Sequence, residues 1–353
     1  MEQNENTSKP KKRFNLFDWY YSRQRKKDAK ADDFNALEKP SFTNFFKLLW
    51  RKLSKLLTAN IIFVFGNFPL AFFLLAKSGI FDNYSYSPAS LTWGPFQATL
   101  ANTESTQDYV SSALIGIHGI HDSTQVYGIT TIIFFILSLL TIFTWGFTKV
   151  GTTYLYRNMM SGEAVFPFSD FFYIIKRNVK QSLLFGAIDF IILALLLNNI
   201  TTLFKTSGDD VFSLILMFLS CAILILYSII RPYIFLMIFT FDLKFMKIVK
   251  NACAFAIIGI KRNLVALVGY AIIIILNVAL IMLLPPIGII LPFIISVALF
   301  DFIGVYTAYP NIIKHMMNEE DARALIERRS LIEEDDEDEL EIDAEKTGTE
   351  ATE

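Results

Sequence analysis

Charge is scarce where this chain is most apolar. Only 19% of its residues are charged, against about a quarter in soluble domains. A further 53% are hydrophobic, and the charges crowd the two ends, which excludes an ordinary water-soluble globule. Cysteine is nearly absent. Cys221 and Cys253 both lie in apolar surroundings, so they make no disulfide framework or metal pattern and read as small core residues. The sequence has no P-loop, nucleophile elbow, His-Glu-x-x-His zinc helix or nucleic-acid module. With no catalytic constellation, it reads as non-enzymatic and without a cofactor.

What fills the middle is a series of nearly uncharged windows of about 20 residues, enough to carry a helix across roughly 30 Å of hydrocarbon. Within lipid the backbone must satisfy its own hydrogen bonds, so such runs are helices. Six spans are predicted, at 56–76, 126–148, 181–203, 211–240, 264–284 and 287–309. The first follows a long basic segment, as a retained span does and a cleaved signal does not. Between the last two, Pro285 and Pro286 leave room only for a tight turn. The fold class is all-α: a polytopic helical membrane protein with a basic N-terminal segment 1–41, a six-span domain 42–317 and a tail 318–353. The tail's "EEDDEDELEIDAE" is a like-charged run, expected to stay largely solvated and disordered.

Lys and Arg set the orientation. Fourteen precede the first span, five lie in 149–180 and five in 241–263, whereas the 48-residue connector 78–125 has none. Both termini and the two basic connectors are therefore expected in the cytoplasm. In the first connector, Gly162 is expected to stop a helix and Ser169 or Asp170 to cap a new one through Phe171–Lys180. Phe171, Ile174, Ile175 and Asn178 share a face of it, as in an interfacial amphipathic helix with basic flanks. The connector 241–263 has the same character. "IKRN" occurs at Ile175–Asn178 and again at Ile260–Asn263, which raises an internal repeat against the simpler reading of basic residues at inner boundaries.

Three ionisable residues fall inside spans: Asp189, Arg231 and Asp301. A charge at the bilayer centre costs about 2.5–3.5 kcal/mol on insertion scales, so such groups face protein, water or one another. Each is eight or nine residues from the inner end of its span, which puts them at one depth and predicts a charge-paired cluster. One reading makes the cluster a structural lock between spans, another a polar site for a proton, ion or substrate. Pairing implies that neutralising Arg231 alone harms accumulation more than neutralising all three. In the outer connector, "IHGIHD" places His118 and His121 three apart beside Asp122, but no further ligands accompany them, so no metal is expected.

The stretch "GTTYLYRNMMSGEAVFPFSDFFYIIKRNVKQSLLFGAID", Gly151–Asp189, resembles the signature of the YesL-like family of bacterial integral membrane proteins, whose function is unknown. The resemblance rests on Tyr154, Arg157, Asn158, Gly162, Glu163, Ser169, Asp170 and Phe171, and more weakly on "LKFMKIVKNACAFAIIGIKRNL", Leu243–Leu264. Phe168 stands where the family often carries Trp. The resemblance implies a plasma-membrane protein that serves carbohydrate uptake or sensing as an accessory or regulator, in contact with the bilayer and with an ABC permease or sensor kinase. Against it stands a second expectation, a small transporter or channel that uses the Asp189–Arg231–Asp301 cluster.

Overall fold

A computed structural model describes residues 40–88, 121–206, 211–241 and 243–316. The basic segment before Pro40, the outer connector from 89 to 120 with His118, and the acidic tail lie outside the described residues. In chain order the elements are α1 (Phe42–Gly66), α2 (Pro69–Lys77), β1 (Asn83–Pro88), β2 (His121–Val126), α3 (Ile129–Ser138), α4 (Leu140–Met160), α5 (Pro167–Arg177), α6 (Val179–Thr206), α7 (Val211–Thr240), α8 (Phe245–Ile258), α9 (Ile260–Leu283), α10 (Pro285–Leu291), a π-helical turn (Pro292–Ser296) and α11 (Val297–Met316). Five helical runs are long and apolar enough to cross a membrane, and the α1–α2 pair makes a sixth if the two count as one broken span. The protein is thus a multi-pass helical membrane protein.

Several expected boundaries move, each for a local reason. The first span is interrupted at Asn67–Phe68, because Pro69 has no N–H to continue the ladder and starts α2 at its first turn. The second runs on through Lys149 to Met160, where Ser161 and Gly162 close it with Gly162 at φ 65°, a value that suits glycine. Lys149 and Arg157 are therefore helical residues of α4 and not part of a connector. The amphipathic helix starts at Pro167, upstream of the expected caps. Ser169 is exposed inside it, and Asp170 reaches back so that Oδ2 accepts the Phe166 N–H at 2.9 Å. Burial nonetheless pushes the Asp170 carboxyl above the usual range, that hydrogen bond opposing it.

The two "IKRN" stretches differ in place. Asn178 ends α5 and bonds back to the Ile174 carbonyl, whereas Ile260 opens α9 after the break at Gly259. They are out of step with the helix breaks around them, which leaves the tetrapeptide no support as the mark of a repeat.

The chain divides into two compact units, one reaching Gly66 and resuming at Ile142, the other Asn67–Thr141. In the smaller unit, Phe72 and Phe134 stack at 5.6 Å, and Asp82 Oδ1 accepts from Thr131 Oγ1 (2.6 Å) and the Gly128 N–H (3.3 Å) at the start of α3. The antiparallel ribbon β1–β2, from Asn83↔Val126 to Pro88↔His121, was not foreseen within the outer connector.

The larger unit is packed unevenly. Leu48 and Leu56 of α1, Leu155, Tyr156 and Met159 of α4, Tyr233–Ile238 of α7 and Phe302–Ile312 of α11 form one buried core. The α4 and α7 parts of this core lie at the helix ends that lead into the basic connectors. The opposite ends present Leu195, Phe212, Ile215 and Met282 outward, as lipid-facing side chains do. Helices α4 and α6 meet at Gly146 and Gly186, the close approach that small residues permit between membrane helices. A Cβ on Gly186 would lie 1.9 Å from the Gly146 Cα, which is backbone and has no rotamer to give. Gly186→Ala is therefore expected to destabilise by about 1–3 kcal/mol, read as a lower thermal midpoint in mild detergent. An unchanged midpoint would show that the helices separate freely here.

Candidate functional site

Six side chains build a buried polar cluster where α4, α6, α7 and α11 converge. Asp189 of α6 is held from three directions. Its Oδ1 accepts from Arg231 Nε (2.7 Å) and the Tyr227 hydroxyl (2.6 Å), and its Oδ2 from Arg231 Nη2 (2.7 Å) and Trp145 Nε1 (2.7 Å). The bidentate arginine fork suits a carboxylate, and the two neutral donors fill its remaining lone pairs. With the Asp189 side chain 2% exposed, this half of the cluster is dry and satisfied.

The other half differs. Lys149 ion-pairs with Asp301 Oδ1, while Arg231 Nη1 stands 3.8 Å from that same oxygen. Asp301 Oδ2 is buried and has no hydrogen-bond partner among the described residues. Aromatic faces surround the cations: Arg231 lies 5.9 Å from the Trp145 ring centre and 5.8 Å from that of Phe235, and Lys149 lies 5.9 Å from that of Phe63. Two acids thus balance two bases.

Lys149, Arg231 and Asp301 also line a cavity of about 400 Å³, within the range of small-molecule sites. Ser228 and Thr153 add hydroxyls, and the remaining walls are mainly apolar, among them Leu193, Leu224 and Phe300. Tyr270 stacks on Phe300 at 3.9 Å to make one wall. On the rim, Ile225 of α7 and Ile274 of α9 are 49% and 54% exposed, so the mouth opens among lipid-facing side chains.

The structure brings Asp189, Arg231 and Asp301 together and adds three residues that sequence reasoning missed. Trp145 and Tyr227 each sit four residues before a base, Lys149 and Arg231, and hence on the same helical face. That spacing was a usable signal. Lys149 was hidden because the fall in hydropathy at its position reads as the end of a span.

The connector residues converge elsewhere, beside α11. Arg157 donates from Nη1 to Asn158 Oδ1 (2.9 Å) and Glu163 Oε1 (3.1 Å), and from Nε to the Tyr309 hydroxyl (3.1 Å). This folds the chain back across Gly162, and Lys55 of α1 fastens the far side by bonding the Val165 carbonyl at 3.1 Å. Arg157, Asn158, Gly162 and Glu163 therefore form a tied corner. A second such knot joins Tyr233 to Asn263 and Asn311 at 3.0 Å each, with Arg262 on Asn311 at 3.2 Å.

Among the described residues no group of three or more His, Cys, Asp or Glu could hold a metal ion. No family model, curated protein or solved structure matches the chain.

Proposed function

We propose that this protein binds a small molecule inside the membrane, in the cavity floored by Lys149, Arg231 and Asp301, and passes it across or responds to it without chemical change. The observation that supports this reading most is the division of the charge cluster. A lock needs every group satisfied, as Asp189 is. Asp301 instead lines open volume while one of its oxygens stays buried with no partner among the described residues, and an orphaned buried acceptor costs about 1–3 kcal/mol. The interrupted first span and the π-helical turn at Pro292–Ser296 resemble the broken helices that transporters place around their sites. On this reading both termini face the cytoplasm of a cell whose plasma membrane holds the protein.

Thiol labelling in native membranes tests whether the cavity is open. In a background with Cys221→Ala and Cys253→Ala, Ser228→Cys on the cavity wall is expected to react with N-ethylmaleimide. Ser182→Cys, fully buried beside Gly146, is expected to stay inert. Equal inertness at both positions would end the proposal.

The accessory role in carbohydrate uptake keeps one observation of its own. Helix α5 buries Phe171 and Ile174 but turns Phe168, Phe172 and Tyr173 outward, a rigid aromatic face held by the Arg157 corner and fit to meet a permease or sensor kinase. Affinity capture from gently solubilised membranes should recover that partner, and loss of it on Phe172→Glu would assign the face.

A further inference from the structure

The cavity's electrostatics narrow what it takes, on the reading that it is a binding site. Its floor is neutral as a whole: Asp189 is consumed by Arg231, and Lys149 is spent on Asp301. A ligand carrying a net charge would enter without a counter-charge and would have to be desolvated against mainly apolar walls, a penalty well beyond a factor of about ten in binding. Ser228 and Thr153 bring hydroxyls to the lining, and a neutral O–H suits them without a counter-charge. The walls say the rest of the ligand is apolar, with Leu193, Leu224, Leu267 and Ile274 facing the space. A free sugar would leave most of its hydroxyls unpaired there. The exposed Ile225 and Ile274 on the rim put the entrance within reach of the bilayer.

We propose that the cavity takes a neutral, hydroxyl-bearing amphiphile from the bilayer, its hydroxyl at the Lys149–Asp301 floor and its chain lying along α7 and α9. The ligand is recognised by the absence of charge at its head as much as by the hydroxyl itself.

Three matched probes test this by protecting Ser228→Cys from N-ethylmaleimide in the cysteine-free background: 1-dodecanol, dodecanoate and dodecylammonium. Ala271→Cys, on the α9 side of the same cavity, serves as a second reporter should the first variant fold poorly. Protection by 1-dodecanol is expected at concentrations about tenfold or more below those of either ion, with 1-butanol protecting weakly. The preference should then follow the floor's charge. Asp301→Asn leaves Lys149 unbalanced and should switch it to dodecanoate, and Lys149→Met leaves Asp301 unbalanced and should switch it to dodecylammonium. A thiol that labels readily but is shielded equally by all three probes, or a preference unmoved by either substitution, would overturn the neutral-hydroxyl assignment while leaving the binding site intact. Equal protection by 1-butanol would remove the chain from it. A thiol that fails to label at either reporter would sink the site and the assignment together.

Discussion

Arg231→Met is expected to be the most damaging single change in the charge cluster, costing about 3–5 kcal/mol because it strands a buried carboxylate. Asp189 would keep only Trp145 and Tyr227, two neutral donors, with its side chain 2% exposed. Asp301 would lose the weaker of its two cations. The compensating change is Asp189→Asn alone. The Arg231→Met/Asp189→Asn double variant removes one charge of each sign and leaves Lys149–Asp301 whole, so it should recover most of the folded yield. Neutralising Asp301 as well, the combination implied by three charges in sequence, would now strand Lys149 and should make matters worse again. The order expected in detergent-solubilised yield and resistance to SDS unfolding is native, then double, then triple and single variants. A double variant no better than Arg231→Met would break the link between Asp189 and Arg231.

Part of this cluster was legible in the sequence and part was not. The spans were legible because lipid imposes a crude rule: about 20 uncharged residues make a crossing. The common depth of Asp189, Arg231 and Asp301 followed from the same rule. Lys149 broke it. Hydropathy cannot tell a lysine at the end of a span from one buried in protein partway along a helix that runs eleven residues further, to Met160. The start of α5 was misplaced by preferring Ser169 and Asp170 as caps over Pro167, although proline at the first helical position was present as a signal. The ribbon β1–β2 was out of reach for another reason. "NYSYSP" and "HDSTQV" have no apolar alternation to announce a strand, and each pairs with residues more than thirty positions away. The unfilled oxygen of Asp301 is a fact of three-dimensional packing and has no sequence counterpart.

Asn60→Leu should rival the loss of Arg231, although Asn60 carries no charge. Its side chain is fully buried on α1 and reaches the sixth span more than 230 residues away. There Nδ2 donates to the Phe293 carbonyl (2.6 Å) and the Pro292 carbonyl (3.2 Å), and Oδ1 accepts the Ala298 N–H at 2.8 Å. Pro292 has no N–H, and the π-helical turn after it shifts the ladder, so backbone groups are freed inside a crossing where no water can meet them. One amide therefore satisfies three of them. Leucine fills similar space and satisfies none, and at about 1–3 kcal/mol per orphaned group the loss starts near 3 kcal/mol. Asn60→Asp would keep the acceptor for Ala298 but lose both donors and bury a charge, so it should fare no better. The effect should also reach the cavity, because Phe300 and Asp301 stand on α11 within two turns of the clamped segment. In the Ser228→Cys reporter, Asn60→Leu is expected to change the maleimide rate as well as lower the thermal midpoint. A midpoint within about 1 kcal/mol of native, set against the three-group loss, would mean that other groups satisfy the turn. A lowered midpoint with an unchanged labelling rate would make Asn60 a fastener of the sixth span and nothing more.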